Sequence, residues 1–87
     1  MLIKNLIWDD WNIEHIAKHN VTPDEIGEVC KGKHFSKIGK QGTYSIIGQT
    51  QAGRYLTIIL SPKGAGNFYT VTARDSDIRE RRKFKKR

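Results

Sequence analysis

"TYSIIGQTQAGRYLTIIL", Thr43 to Leu60, is the stretch on which the fold turns. Leu56, Ile58 and Leu60 alternate with Tyr55, Thr57 and Ile59, the period of 2 that a half-buried strand requires. The gap "QAG" between "TYSIIGQT" and "RYLTIIL" carries a glycine and reads as a hairpin turn. The flanking segments "HFSKIG" and "NFYTVTA" have the same aromatic and β-branched character, and "KQG" and "PKGAG" supply the remaining turns. Four strands in series predict an antiparallel meander with one face on helices and one left free.

Upstream of His34 the period is about 3.6 instead. Ile3 to Trp8 reads as a short first strand. Asp9 and Asp10 then offer N-caps for a helix whose expected apolar face is Ile13, Ile16 and Ala17, with Asn20 as its stop. In "VTPDEI", Thr22 is an N-cap, Pro23 sits at the first helical position and Glu25 completes a capping box. Val21 and Ile26 occupy the two positions of a hydrophobic staple, and Ile26, Val29 and Cys30 form the buried stripe that Gly32 ends. Asp77-x-x-Glu80 opens a last helix with the same capping pattern. Trp8 and Trp11 read as core anchors. The expected architecture is α+β, β-α-α-β-β-β-β-α, an antiparallel sheet packed by helices mostly on one face.

The chain of 87 residues has room for one domain, spanning 1–87, and shows no repeat, linker or composition shift. It has no apolar run long enough to cross a membrane as a helix, and "MLIKNLIWDDW" reaches charge too early for a signal peptide, so a cytoplasmic location is expected. Its single cysteine, Cys30, excludes an internal disulfide and has no metal-ligand spacing. Net charge is +7 and unevenly spread: from Arg74 onward five Arg and three Lys face Asp75, Asp77 and Glu80, while the remainder is close to balance. A basic end of this kind implies an anionic partner: nucleic acid first, an acidic protein second, a membrane surface last.

Three stretches together resemble a known family. "WDDWNIEHIAKHNVTPDEIGEV", "GQTQAGRYLTIIL" and "YTVTARDSDIRERRKF" are similar to the BrnT toxins of the RelE-like group, and the likeness runs along essentially the whole chain. Its most specific parts are Lys18 to Glu25, the "GRYL" strand start and "TARD" with "RERR". The resemblance implies a RelE-like domain and a type II toxin that cleaves RNA, without a metal or other cofactor, and so inhibits translation. It also implies a BrnA-type antitoxin as partner, and RNA, free or on the ribosome, as substrate. Relatives commonly carry threonine at Asp77, tyrosine at Phe84, glycine at Asn20, glutamate at Asp24 and arginine at Tyr69. Of these, Phe84 matters most, since phenylalanine keeps a ring but loses a hydroxyl.

RNA cleavage by attack of a ribose 2′-hydroxyl needs a base, an acid and positive charge on the phosphoryl oxygens. On that implied chemistry Arg74, at the end of the last strand, is the leading phosphate ligand, against an ion pair with a neighbouring acid. Glu80 is a candidate base or arginine-orienting group, against its capping-box role. Arg81, which shares a helical face with Glu80 and Phe84, joins the candidate catalytic set as a phosphate ligand, against a solvated or antitoxin-facing charge. Arg82, Lys83, Phe84 and Lys85 are assigned to RNA binding, with Lys86 and Arg87 as general electrostatics. His19 is a candidate for proton transfer, because histidine is the side chain that ordinarily titrates near neutrality, and Lys18 adjoins it. His15 and His19 are four apart, but without a third ligand they make a poor metal site. Arg54 is divided between RNA binding and capping the core edge. His34 is structural, and "PKGAG" lacks the spacing and following helix of a phosphate-binding loop. Two rival readings stand beside the nuclease: a non-catalytic nucleic-acid-binding module, and a domain whose basic face receives only an antitoxin.

Overall fold

The computed structural model describes residues 1–86. In chain order the elements are β1 (Asn5–Ile7), α1 (Asp10–Ala17), α2 (Pro23–Lys31), β2 (His34–Ile38), β3 (Tyr44–Gln49), β4 (Tyr55–Pro62), β5 (Asn67–Asp75) and α3 (Ile78–Lys85), with one 3-10 turn at Lys40–Gly42. The order is the one expected. The five strands form one sheet in the order β1-β5-β4-β3-β2.

Strands β2 to β5 are the antiparallel meander that the alternation predicts. The sheet as a whole is mixed, however, because β1 lies parallel to β5, with Leu6 opposite Phe68. A three-residue strand carries no direction signal of its own. Its direction follows from where α1 must begin to lay Asn12 and Ile16 on the core. The turns close as their glycines require: Gly53 at φ +92°, and Gly64, Ala65 and Gly66 all in the left-handed region of the β4–β5 hairpin. A register shift between Ile59 and Leu60 inserts an extra residue into β5.

The main core joins Leu56, Ile58 and Leu60 to Ile16, Val21, Ile26, Val29, Ile46 and Ala73, each at most 2 % exposed. Helix α2 approaches the sheet so closely that a Cβ on Gly48 would stand 2.8 Å from Val29 Cγ1. All three helices begin with a complete capping box, at Asp9, Thr22 and Asp77. The buried side of α1 differs from the expected one. It consists of Asn12 and Ile16, while Ile13 and Ala17 are exposed. Asn12 is drawn inward because its amide satisfies three backbone groups: the Asp9 N–H, Ile7 O and Thr70 O. Trp8 packs against the core, but Trp11 is 59 % exposed and is no anchor.

The second face of the sheet is only half free. Opposed residues share a face, so Tyr55, Thr57, Ile59 and Ser61 lie with Ile47, Arg74, Thr72 and Tyr69. Helix α3 crosses β2 and β3 on this side and leaves Ile47 and Thr57 buried. The β4–β5 portion, carrying Ile59, Ser61, Thr72 and Tyr69, remains partly open.

Candidate nucleic-acid interface

Arg74 stands at the open end of β5 with its side chain 49 % exposed. Its two terminal nitrogens donate to the two carboxylate oxygens of Glu80 at 2.8 and 2.9 Å, a fork-to-fork pair, and Nη1 also reaches Asp75 O. Glu80 accepts a further bond from the Asp77 N–H at 2.8 Å. The Arg74 fork, aided by the Asp77 N–H and Thr57, draws the Glu80 carboxyl down to about 2 despite partial burial. A carboxylate so stabilised is a weak base. Its geometry suits it to hold Arg74 in one orientation, the second of the two roles the sequence allowed. The outer edge of the guanidinium, Nε and one Nη2 hydrogen, faces away from that pair.

Arg81 and Lys85 converge on Tyr55: the guanidinium carbon lies 5.0 Å from the ring centroid and the ammonium 5.5 Å. Phe84 meets the same ring edge-on at 6.0 Å and is half-buried, so it packs α3 onto β4 as well as edging the basic surface. Tyr55 was not among the residues picked out for chemistry. The signal was its alternation opposite Leu56, which puts it on the second face. Lys83 lies close enough to Lys37 of β2 that their like charges lower the Lys83 ammonium's affinity for its proton. Arg82 and Lys86 are exposed, and Arg87 lies outside the described residues.

Arg54 takes the other of its two expected roles. It donates to Asp75 Oδ1 at 2.7 Å, to Glu25, and to the backbone oxygens of His19 and Asn20. With most of its donors engaged it clamps the end of α1, the start of α2 and the end of β5, and little of it is left for RNA. Asp75 is lowered in turn, chiefly by that bond to Arg54 and further by the charge of Arg81.

Through the Arg54 clamp, Lys18 and His19 come to the same end of the molecule as Arg74. Both side chains are exposed. The histidine on the open sheet face is His15, whose Nε2 lies 3.1 Å from Thr72 Oγ1. Trp11 stacks on His15 with ring centroids 4.8 Å apart and planes 7° from parallel, and His19 meets His15 edge-on at 6.1 Å. The i, i+4, i+8 spacing of Trp11, His15 and His19 was legible; that the three rings form one ladder was not. At the far end of the open face Tyr69 donates to Asp9, and loss of water with that bond raises its phenol. His34 Nδ1 pairs with Gly32 O, a structural role as expected. Cys30 is buried, and desolvation pushes its thiol up to about 12, which makes it inert.

Among the described residues no three His, Cys, Asp or Glu side chains cluster as a metal site would need, and no helix is long and apolar enough to cross a membrane. A groove of about 1010 Å³ runs beside α2, floored by Ile3, Leu6, Trp8 and Cys30, and includes none of the candidate residues. Comparison with protein-family models, curated proteins and solved structures gives no match to this chain.

Proposed function

We propose that this protein is a BrnT-like toxin with a RelE-like domain, an endoribonuclease that needs no metal, inhibits translation and is held in check by a BrnA-type antitoxin. The observation that carries this reading is Arg74: an arginine delivered by the last strand to an open sheet face and oriented by Glu80, with Arg81 and Lys85 over Tyr55 of the adjacent strand. An exposed guanidinium edge, with two further cations gathered over Tyr55 of the neighbouring strand, suits a phosphodiester better than a neutral ligand.

In the proposed reaction the ribose 2′-oxygen attacks the adjacent phosphorus while the bond to the 5′-oxygen breaks, leaving a cyclic phosphate and a 5′-hydroxyl. Arg74 binds the phosphoryl oxygens through its outer edge as their charge grows. Glu80 acts as a positioning residue for Arg74. The 2′-hydroxyl proton passes to an imidazole, that of His15 on the sheet face or of His19 at the rim, and the imidazolium so formed gives it to the departing 5′-oxygen.

Incubation of the purified protein with RNA or translating ribosomes in EDTA should give defined products. Arg74→Ala should lower the cleavage rate about 100-fold or more, and Arg74→Lys should restore little, since an ammonium cannot make the paired contact. Intact RNA with tight, salt-sensitive binding would replace the nuclease by a non-catalytic binding module. Intact RNA with neither binding nor growth arrest on induction would leave only an antitoxin-binding domain.

A further inference from the structure

The open half of the second sheet face is bounded by two walls. On one side stands α3 with Glu80 and Arg81. On the other stands the shoulder of α1 that carries Trp11, His15 and His19. Thr72 and Ile59 form the floor between them, and His15 is fastened to that floor through Thr72. The charges along this floor are graded: Arg74 marks one end, while the Asp9 carboxylate, bonded to Tyr69, marks the other. The Trp11 end therefore disfavours phosphate and offers a flat aromatic surface instead.

Trp11 is large, 59 % exposed and backed by a parallel imidazole, so it is held in one orientation with its outer ring face to solvent. A helix presents such a ring to water at a cost, and the surface it creates matches an unpaired base, whose stacking on an aromatic is worth about 1–3 kcal/mol. His15 covers the inner side of Trp11 and meets His19 edge-on, so the face left for a base is the outer one of Trp11.

We propose that this open face is a track for single-stranded RNA, in which the phosphate seats at Arg74 and an unpaired base one or more nucleotides away stacks on Trp11. The inference rests on the proposed nuclease reading and adds to it a base-stacking subsite at Trp11, which favours RNA with unstacked bases over duplex.

The test uses the full chain and a fluorescein-labelled 2′-O-methyl oligouridylate, which cannot be cleaved, with binding followed by anisotropy. Trp11→Ala should weaken binding about tenfold, Trp11→Phe should recover most of the loss, and tryptophan emission of the wild type should be quenched on binding. The thermal midpoint of Trp11→Ala should stay near that of the wild type, because the ring is exposed. A duplex of the same length should bind more weakly. Unchanged affinity in Trp11→Ala, with affinity lost in Arg74→Ala, would overturn the track and leave the nuclease reading intact. Duplex binding equal to single-strand binding would do the same. A wild type that binds no RNA would overturn both.

Discussion

Glu80 accepts both arms of Arg74 and the backbone N–H of Asp77, and that convergence makes the carboxylate's charge part of folding stability. Its carboxyl falls from an ordinary 4.5 to about 2 in the folded chain. A lowered folded value means the contribution is fully present above pH 4.5 and is lost as pH falls toward 2. Since Arg74 is half-exposed and solvent screens the pair, the contribution is about 1–2 kcal/mol. Urea denaturation between pH 6 and 2 should therefore show a shallower acid loss in Glu80→Gln than in the wild type. Equal slopes in the two proteins would remove the carboxylate from the acid response. At this scale the sequence named both partners and allowed their pairing, with Asp75 and Asp77 as alternatives. Asp77-x-x-Glu80 announced the cap, but that Glu80 and not Asp75 or Asp77 would grip Arg74 depended on how β5 and α3 meet.

Helices α1 and α2 are joined by a short turn and locked by a residue from neither. Arg54, just before β4, bonds Asp75 of β5, Glu25 of α2 and the carbonyls of His19 and Asn20 in the turn between α1 and α2. Cationic donors at turn carbonyls satisfy backbone groups that would otherwise need water. Arg54→Ala strips partners from several groups at once and should cost about 2–3 kcal/mol, visible as a lower urea midpoint with unchanged slope. RNA affinity at a temperature where the variant is folded should change little, which separates the clamp from the interface. The glycine turn before Arg54 and its place at a strand start were legible. Alternation alone put it on the Leu56 face, and only the approach of both helices to that edge turned it into a junction.

Of the basic residues behind the chain's net +7, several meet on one face. Arg81 and Lys85 meet over Tyr55, Arg74 opposes Thr57 on the same face, and Lys37 and Lys83 lie close together. Each phosphate neutralised by such a surface releases counterions, so log affinity for single-stranded RNA should fall linearly with log salt, by about 0.7 per contact. Lys85→Ala should flatten that slope by about 0.7. Trp11→Ala should lower affinity with the slope unchanged, because a stacking ring releases no counterions.

The sequence by itself determined the order of elements, the helix starts, the hairpin turns and the basic end of the chain. Each of these rests on groups within a few residues of one another: a side-chain oxygen three residues from an N–H, a glycine where φ must be positive, a period of 2 or 3.6. Only the tertiary structure decided that β1 runs parallel to β5, that Asn12 replaces Ile13 and Ala17 in the interior of α1, and that α3 covers half of the second sheet face. It alone converted Arg54 into a clamp and placed His15, together with the outward-facing Trp11, beside an open floor. These features join residues tens of positions apart, and such contacts exist only once the sheet has closed and its two faces compete for the helices.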